Sequence, residues 1–193
     1  AIDGPASVGK SSLAKLMAKK YNCPLLHSGQ LYRIIAYNLI LKKIDFSNHE
    51  YVLNCIKNID YSKIRSRDIY SNKIDRVSSE ISSKRFIREE LKKYQRSYIK
   101  KSLRKNKYAI VEGRDMGTVV FPEAEFKIFL WANSNVRAER RFKQLSKKGG
   151  KTSFKKVLSE INSRDLRDLN RKIAPLKPDV NSVLLDTSYL DIE

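Results

Sequence analysis

Gly4-Pro5-Ala6-Ser7-Val8-Gly9-Lys10-Ser11 fits the spacing G-x-x-x-x-G-K-[ST], and the reading of this stretch decides the fold. Its two glycines let the backbone wrap closely around an anion, so that successive N–H groups point at phosphate oxygens. In such a loop Lys10 reaches the β- and γ-phosphates of a nucleotide and the Ser11 hydroxyl holds Mg²⁺. The residues that follow, Ser12-Leu13-Ala14-Lys15-Leu16-Met17-Ala18-Lys19-Lys20, read as a helix whose N-terminal dipole adds to the anion site. A glycine turn before a helix also occurs as plain structure; the strand, loop and helix order favours nucleotide binding. Only Ala1-Ile2-Asp3 precede Gly4, and no Met opens the chain. The front of the first strand is therefore expected to lie outside this sequence, as is the chain beyond Asp191-Ile192-Glu193.

Working outward, Pro24-Leu25-Leu26-His27 reads as a short buried parallel strand, and Ser28 as the cap of a helix carrying Leu31, Ile34, Ile35, Leu39 and Ile40. The stretch from Asp45 to Ile74 is polar and less regular, with room for a short helix near Tyr51–Ile59. Basic helices are predicted around Lys73–Ser83 and Arg85–Arg104. Tyr108-Ala109-Ile110-Val111, ending at Glu112-Gly113, and Phe126-Lys127-Ile128-Phe129-Leu130-Trp131 read as strands. Helices follow from Ser134 to Lys147 and from Ser153 to Lys172, separated by Lys148-Gly149-Gly150-Lys151, and Val183-Leu184-Leu185 is a last strand. Alternating strands and helices imply a parallel sheet covered on both faces, with ligands beyond the carboxyl ends of the strands. The P-loop, Ser28-Gly29 and Gly113-Arg114-Asp115 each follow a strand at once, so they are expected to share one crevice.

At 193 residues and 41% hydrophobic residues, the chain suffices for one packed α/β domain with a small inserted subdomain. No apolar run approaches the about 18 residues of a membrane span, and no signal-peptide pattern is visible. Cys23 and Cys55 form no C-x-x-C pair, and His27 and His49 are the sole histidines. A disulfide framework, a His-rich metal site and a catalytic triad are therefore not expected, and a reduced, cytoplasmic setting is. The net charge of +19 has two readings. One is nucleic-acid binding. The other is a Lys-rich solvated surface, favoured because the lysine pairs are spread along the chain without interleaved aromatics, so no specific nucleic-acid partner is expected. A protein that binds two phosphate-rich ligands also needs convergent cations.

Val157, Ile161, Arg164, Asp168 and Arg171 fall on one stripe at 100° per residue. Its first half is apolar and its second half charged, as in a helix running from the body of a protein into a polar site; a salt-bridged surface helix is the plainer alternative. With the P-loop, Arg33, Arg114, Arg164 and Arg171 suit phosphoryl transfer between two polyanions, which is mostly positioning and charge neutralisation. An acceptor that is itself a phosphate needs no strong general base. Glu112, at a strand end, is a candidate to hold Mg²⁺ through water or an ordinary strand-end carboxylate.

These pieces resemble the bacterial cytidylate kinases of the nucleoside monophosphate kinase group. The resemblance covers nearly the whole chain and rests on Ile2-Asp3-Gly4-Pro5 and the P-loop. It rests further on Leu25-Leu26-His27-Ser28-Gly29-Gln30-Leu31-Tyr32-Arg33, on Gly113-Arg114-Asp115-Met116-Gly117-Thr118-Val119-Val120-Phe121-Pro122 and on Arg164-Asp165-Leu166-Arg167-Asp168-Leu169-Asn170-Arg171 with Ala174-Pro175-Leu176. It implies a P-loop NTPase fold, three-layer α/β/α with a parallel five-stranded sheet. It implies a core of 1–44 and 86–193, an NMP-binding insert near 45–85, and a lid near 147–156. It implies transfer from ATP to CMP or dCMP with Mg²⁺, in a monomer. Carried over by position, Gly4 to Ser12 would hold ATP. Arg33, Arg114 and Arg171 would contact the acceptor phosphate beside Ser28. Ser79, Arg88 and Asp115 would read the cytosine, and Arg164 and Asp168 would hold the sugar. Lys148–Phe154 resembles the lid that closes over the donor and excludes water.

Three departures stand out: His27 and Glu112 each occupy a position where the family usually has Asp, and the segment from Asp60 to Asp75 leaves room for no more than a hairpin where fuller members carry a β-rich insert. The alternatives are a P-loop kinase with UMP or another nucleotide as acceptor, and a nucleic-acid-binding ATPase.

Overall fold

The computed structural model describes residues 1–59, 69–147, 149 and 152–190. A parallel sheet of five strands has the order β2-β3-β1-β4-β5, formed by β1 (Ile2–Asp3), β2 (Leu25–His27), β3 (Ile110–Gly113), β4 (Ile128–Trp131) and β5 (Val183–Asp186). With its flanking helices this is the P-loop kinase α/β fold. The chain falls into two compact units, Ala1–Leu25 with Ile110–Glu193, and Leu26–Ala109.

In the first unit β1 lies between β3 and β4, with Ile2 beside Glu112 on one side and Ile128 on the other. This register brings the ends of β1 and β3 level, so the P-loop after Asp3 and the Arg114 segment after Gly113 start from the same edge of the sheet. Ile2, Val8, Ala14, Ile110, Leu130 and Ala132 form the core under the loop, each large aliphatic contributing about 1.5–3 kcal/mol on burial. Helix α1 (Lys10–Lys20) packs on β3, and helices α6 (Ser134–Ser146) and α7 (Phe154–Asn170) pack on each other. Their seam is Ala138, Val157 and Ile161, flanked by Phe142, Leu145 and Leu158. The apolar half of the charged stripe is therefore its docking surface. β5 is exposed along its whole length.

The second unit holds α2 (Ser28–Lys42), α3 (His49–Lys57), α4 (Asn72–Ile81) and α5 (Arg85–Leu103). Asn48 caps α3 by accepting from the Tyr51 N–H at 3.0 Å, and Ser71 caps α4 by accepting from Ile74 at 3.3 Å. The hairpin anticipated between Asp60 and Asn72 falls mainly on residues 60–68, outside the described residues. The same holds for residues 148, 150 and 151 of the anticipated lid.

Three local assignments differ from those read in the sequence. Ser28 is the first residue of α2, not its cap, because the helix starts directly at the end of β2; His27 stands at the cap position in extended conformation. Helix α7 stops at Asn170, and Arg171 has extended backbone with ψ 136°. The reason is the turn ahead of Pro175: Leu176 N–H donates to the Asp168 carbonyl at 2.8 Å, and Ala174 takes a left-handed φ of 51°. Met116–Val120 forms a short π-helix, which the sequence did not announce.

Candidate active site

The P-loop is shaped by residues that only a close turn requires. Gly4 has φ 145°, and a Cβ there would lie 2.2 Å from the Leu130 carbonyl oxygen. Gly9 has φ 101° and caps α1, whose first turn carries neither a side-chain cap nor an acidic residue. The N–H groups of Lys10 and Ser11 are thus left for an anion, while those of Ser12 and Leu13 donate to the Gly9 carbonyl at 3.0 Å. Lys10 is buried and folds back over the loop, its Nζ donating to the Pro5 carbonyl at 2.6 Å. Burial pushes its ammonium well below the ordinary lysine range; Arg114 and Arg164 press the same way, against Glu112 and Asp3. A phosphate entering the loop would add to the counter-charge of Glu112 and Asp3.

Ser11 Oγ donates to Glu112 Oε1 at 3.1 Å. A hydroxyl and a carboxylate side by side at the phosphate loop are hard oxygen donors of the kind Mg²⁺ uses, one or two from protein and the rest from phosphate and water. The residues therefore fit the ion, and the Asp-to-Glu departure at position 112 keeps the carboxylate in reach of Ser11.

Behind the loop stands a network of charge. Arg114 donates from Nε to Asp168 Oδ2 at 2.8 Å and from NH1 to the Gly4 carbonyl at 2.9 Å. Arg171 donates to the Ala174 carbonyl and lies 3.8 Å from both Asp115 and Asp168. Arg164, one turn before Asp168 on α7, is close enough to favour the Asp168 charge and disfavour that of Lys10. Burial works against the Asp168 carboxylate, but Arg114, Arg164 and Arg171 together outweigh it and hold the group below its ordinary value. Lys10, Arg114, Arg164 and Arg171 are thus brought into one charged cluster with Asp115 and Asp168.

Two supports of this cluster were not singled out in the sequence. Arg137 on α6 donates to the Ala132 carbonyl at 2.8 Å and to the P-loop carbonyl of Ala6 at 3.2 Å, and pairs with Asp165 of α7 at 2.6 Å. It braces the loop against α7; in the sequence it is one arginine among several on a basic helix. Asp3 accepts from the N–H groups of Met116 at 2.8 Å and Gly117 at 2.7 Å, which fixes the π-helix after Asp115. Burial raises the Asp3 carboxyl above its usual range, opposed by those two backbone bonds.

The second unit holds the remaining candidates. Arg33 on α2 pairs with Asp75 of α4, donates to the Ile69 carbonyl at 3.1 Å and lies 4.6 Å over the Tyr70 ring. Ser79 and Arg88 are each tied to Ser82 at the turn between α4 and α5: Ser82 Oγ donates to the Ser79 carbonyl at 2.7 Å, and Arg88 NH1 donates to the Ser82 carbonyl at 2.9 Å. Ser28 accepts from Gln95 Nε2 at 3.2 Å. His27 is buried at the α2 cap position, 8% exposed.

A sequence model of the cytidylate kinases matches residues 1–193. A protein named cytidylate kinase from Bartonella tribocorum is 36% identical over 193 residues, covering all of this chain and 88% of that protein. One of the same name from Rickettsia akari is 40% identical over 191 residues, covering 98% and 84%. The cytidylate kinase of Mycoplasmopsis synoviae is 36% identical over 204 residues, covering 100% and 92%.

Proposed function

The chain belongs to the cytidylate kinase family, and from that membership we propose how its residues divide the transfer of the γ-phosphoryl group of ATP to CMP or dCMP. The observation that carries the assignment is the cluster of Lys10, Arg114, Arg164 and Arg171 at a glycine loop shaped for phosphate. The loop from Gly4 to Ser12 binds the donor phosphates through its backbone N–H groups, and Lys10 neutralises the β- and γ-phosphates. Ser11, with Glu112 acting through water, would hold Mg²⁺, which when bound neutralises phosphate charge and orients the donor.

Arg33, Arg114 and Arg171 bind the acceptor phosphate beside Ser28. Ser79, Arg88 and Asp115 read the cytosine, since a carboxylate accepts from the exocyclic amine and a guanidinium donates to the ring acceptors. Arg164 and Asp168 hold the sugar. The acceptor phosphate oxygen attacks the γ-phosphorus in line as the bond to the β-phosphate oxygen breaks, leaving ADP. Charge spreads over the equatorial oxygens, where fixed arginines need no reorganisation. The chain works as one kinase domain with the insert near 45–85 and the lid near 147–156, as a cytoplasmic monomer. Cys23 and Cys55 are both unbridged, and no helix among the described residues is long and apolar enough to cross a membrane.

The test is a coupled ADP-release assay with Mg·ATP and a panel of nucleoside monophosphates, with and without RNA. Selective turnover of CMP and dCMP is expected. Better rates with UMP, AMP or dTMP would move the acceptor assignment, and RNA-stimulated ATP turnover without any monophosphate would replace it.

A further inference from the structure

Helix α5 buries Ile87, Leu91, Gln95 and Ile99 at four-residue intervals. Three are aliphatic. The fourth is an amide only 1% exposed, more deeply buried than Ile99 at 7%. A leucine would fill that place without removing a polar group from water, so the amide needs a reason. Half of the reason is visible: Nε2 donates to Ser28 Oγ at 3.2 Å. The other half is missing, because Oε1 is buried and has no hydrogen-bond partner among the described residues. A glutamine retained for structure alone would have both ends satisfied within the protein.

The surroundings on the same two helices are polar as well. Gln95 lies seven positions after Arg88, which places them on one face of α5, and Arg88 is itself 7% exposed. Its guanidinium stands 6.0 Å from the Tyr32 ring, one turn along α2 from Ser28. Helices α2 and α5 of this unit therefore carry a polar strip of the buried Ser28, Arg88 and Gln95 beside the half-buried Tyr32.

We infer that Gln95 is a positioning residue for the acceptor nucleotide, acting through Ser28 and through its own unpartnered carbonyl oxygen. A hydroxyl has one proton and two lone pairs. With one lone pair taken by the Gln95 amide, the Ser28 proton is directed away from α5 and is available to an acceptor oxygen of the bound monophosphate. Gln95 Oε1 accepts from a hydroxyl or amine of the same nucleotide, or from a water it carries in. The inference rests on Ser28 belonging to the CMP pocket.

The experiment is steady-state kinetics of wild type, Gln95→Met, Ser28→Ala and the double variant, with thermal unfolding as a control. Absence of CMP turnover in the wild type would defeat the functional reading itself, separately from Gln95. Given wild-type turnover, Gln95→Met is expected to raise KM for CMP by about 5- to 30-fold and to leave KM for ATP within about twofold. The double variant is expected to be no worse than the poorer single one. An unchanged KM for CMP, an equal rise in both KM values, or losses that multiply in the double variant would overturn the inference. Should Gln95→Met fail to fold, the side-chain amide resonance of Gln95 in the wild type decides. It is expected to shift on saturation with CMP and not with ATP, and no shift with CMP overturns the role.

Discussion

Arg114 and Asp168 are joined by a 2.8 Å hydrogen bond between Nε and Oδ2, across 54 positions of sequence, while the same guanidinium holds the Gly4 carbonyl. The carboxylate thus orients the arginine that anchors the start of the P-loop. Asp168→Asn is expected to cost about 1.5–3 kcal/mol of stability, as for a hydrogen bond between charged groups. The pH dependence has a definite sign. The folded Asp168 carboxyl sits below its ordinary value of 3.8, so the unfolded chain binds the proton more readily. The contribution of the pair is fully present above that value and is lost as pH falls through the folded value. Urea unfolding between pH 3 and 7 should show the gap between wild type and Asp168→Asn closing only at the acid end.

Lys10→Met separates activity from stability. Transfer is expected to fall by at least about 10²–10³-fold, as for other fixed stabilisers of developing charge. Stability should hold or rise, because burial disfavours the ammonium. Single-turnover assays and thermal unfolding of the same preparations check both signs, and near-wild-type transfer would remove the phosphate role of Lys10.

Arg171→Ala is expected to lower kcat about 10²-fold with a smaller effect on unfolding, since Arg171 sits in extended chain beyond α7. Loss of folding in place of loss of kcat would assign it to the Ala174 turn instead.

Gly4 and Gly9 both have positive φ but differ in room. A Cβ at Gly4 would meet backbone at 2.2 Å, whereas at Gly9 nothing lies within 4 Å. Gly9→Ala is expected to cost about 1–2 kcal/mol from the left-handed conformation alone. Gly4→Ala should displace β4 or fail to fold, as judged by soluble yield and chemical denaturation.

Arg137→Met leaves the Asp165 carboxylate without its partner and is expected to cost about 3–5 kcal/mol. Adding Asp165→Leu should recover most of that stability while KM for ATP stays raised, because the bond to the Ala6 carbonyl is not restored. Recovery of KM as well would make the brace purely structural.

Much of this was legible in the residues. The P-loop spacing, the strand-and-helix alternation and the charged half of α7 each follow from local pattern, and Lys10, Arg114, Arg164 and Asp168 are found in one network. What was not legible depends on partners distant in sequence. The π-helix at Met116–Val120 forms where Asp3 supplies acceptors from another strand. The roles of Arg137 and Gln95 come from contacts with other elements that no periodicity encodes. Ser28 looked like a cap because serine before an apolar helix usually is one; here β2 runs straight into α2, and the hydroxyl faces Gln95 instead.

The two bonds from Met116 and Gly117 to the Asp3 carboxylate tie together positions more than a hundred residues apart as if they were one heritable unit. Asparagine at position 3 offers one acceptor oxygen where two N–H groups arrive. A side chain at 117 would enter space already bounded by Lys127 at 3.2 Å and Asp3 at 3.4 Å. A randomised library at residue 3 should therefore return aspartate almost alone, and alternatives should emerge only when the backbone near residue 117 is varied with it. The clamp thus constrains its two ends unequally: position 3 through its side chain, positions 116 and 117 through backbone N–H groups that any residue but proline supplies.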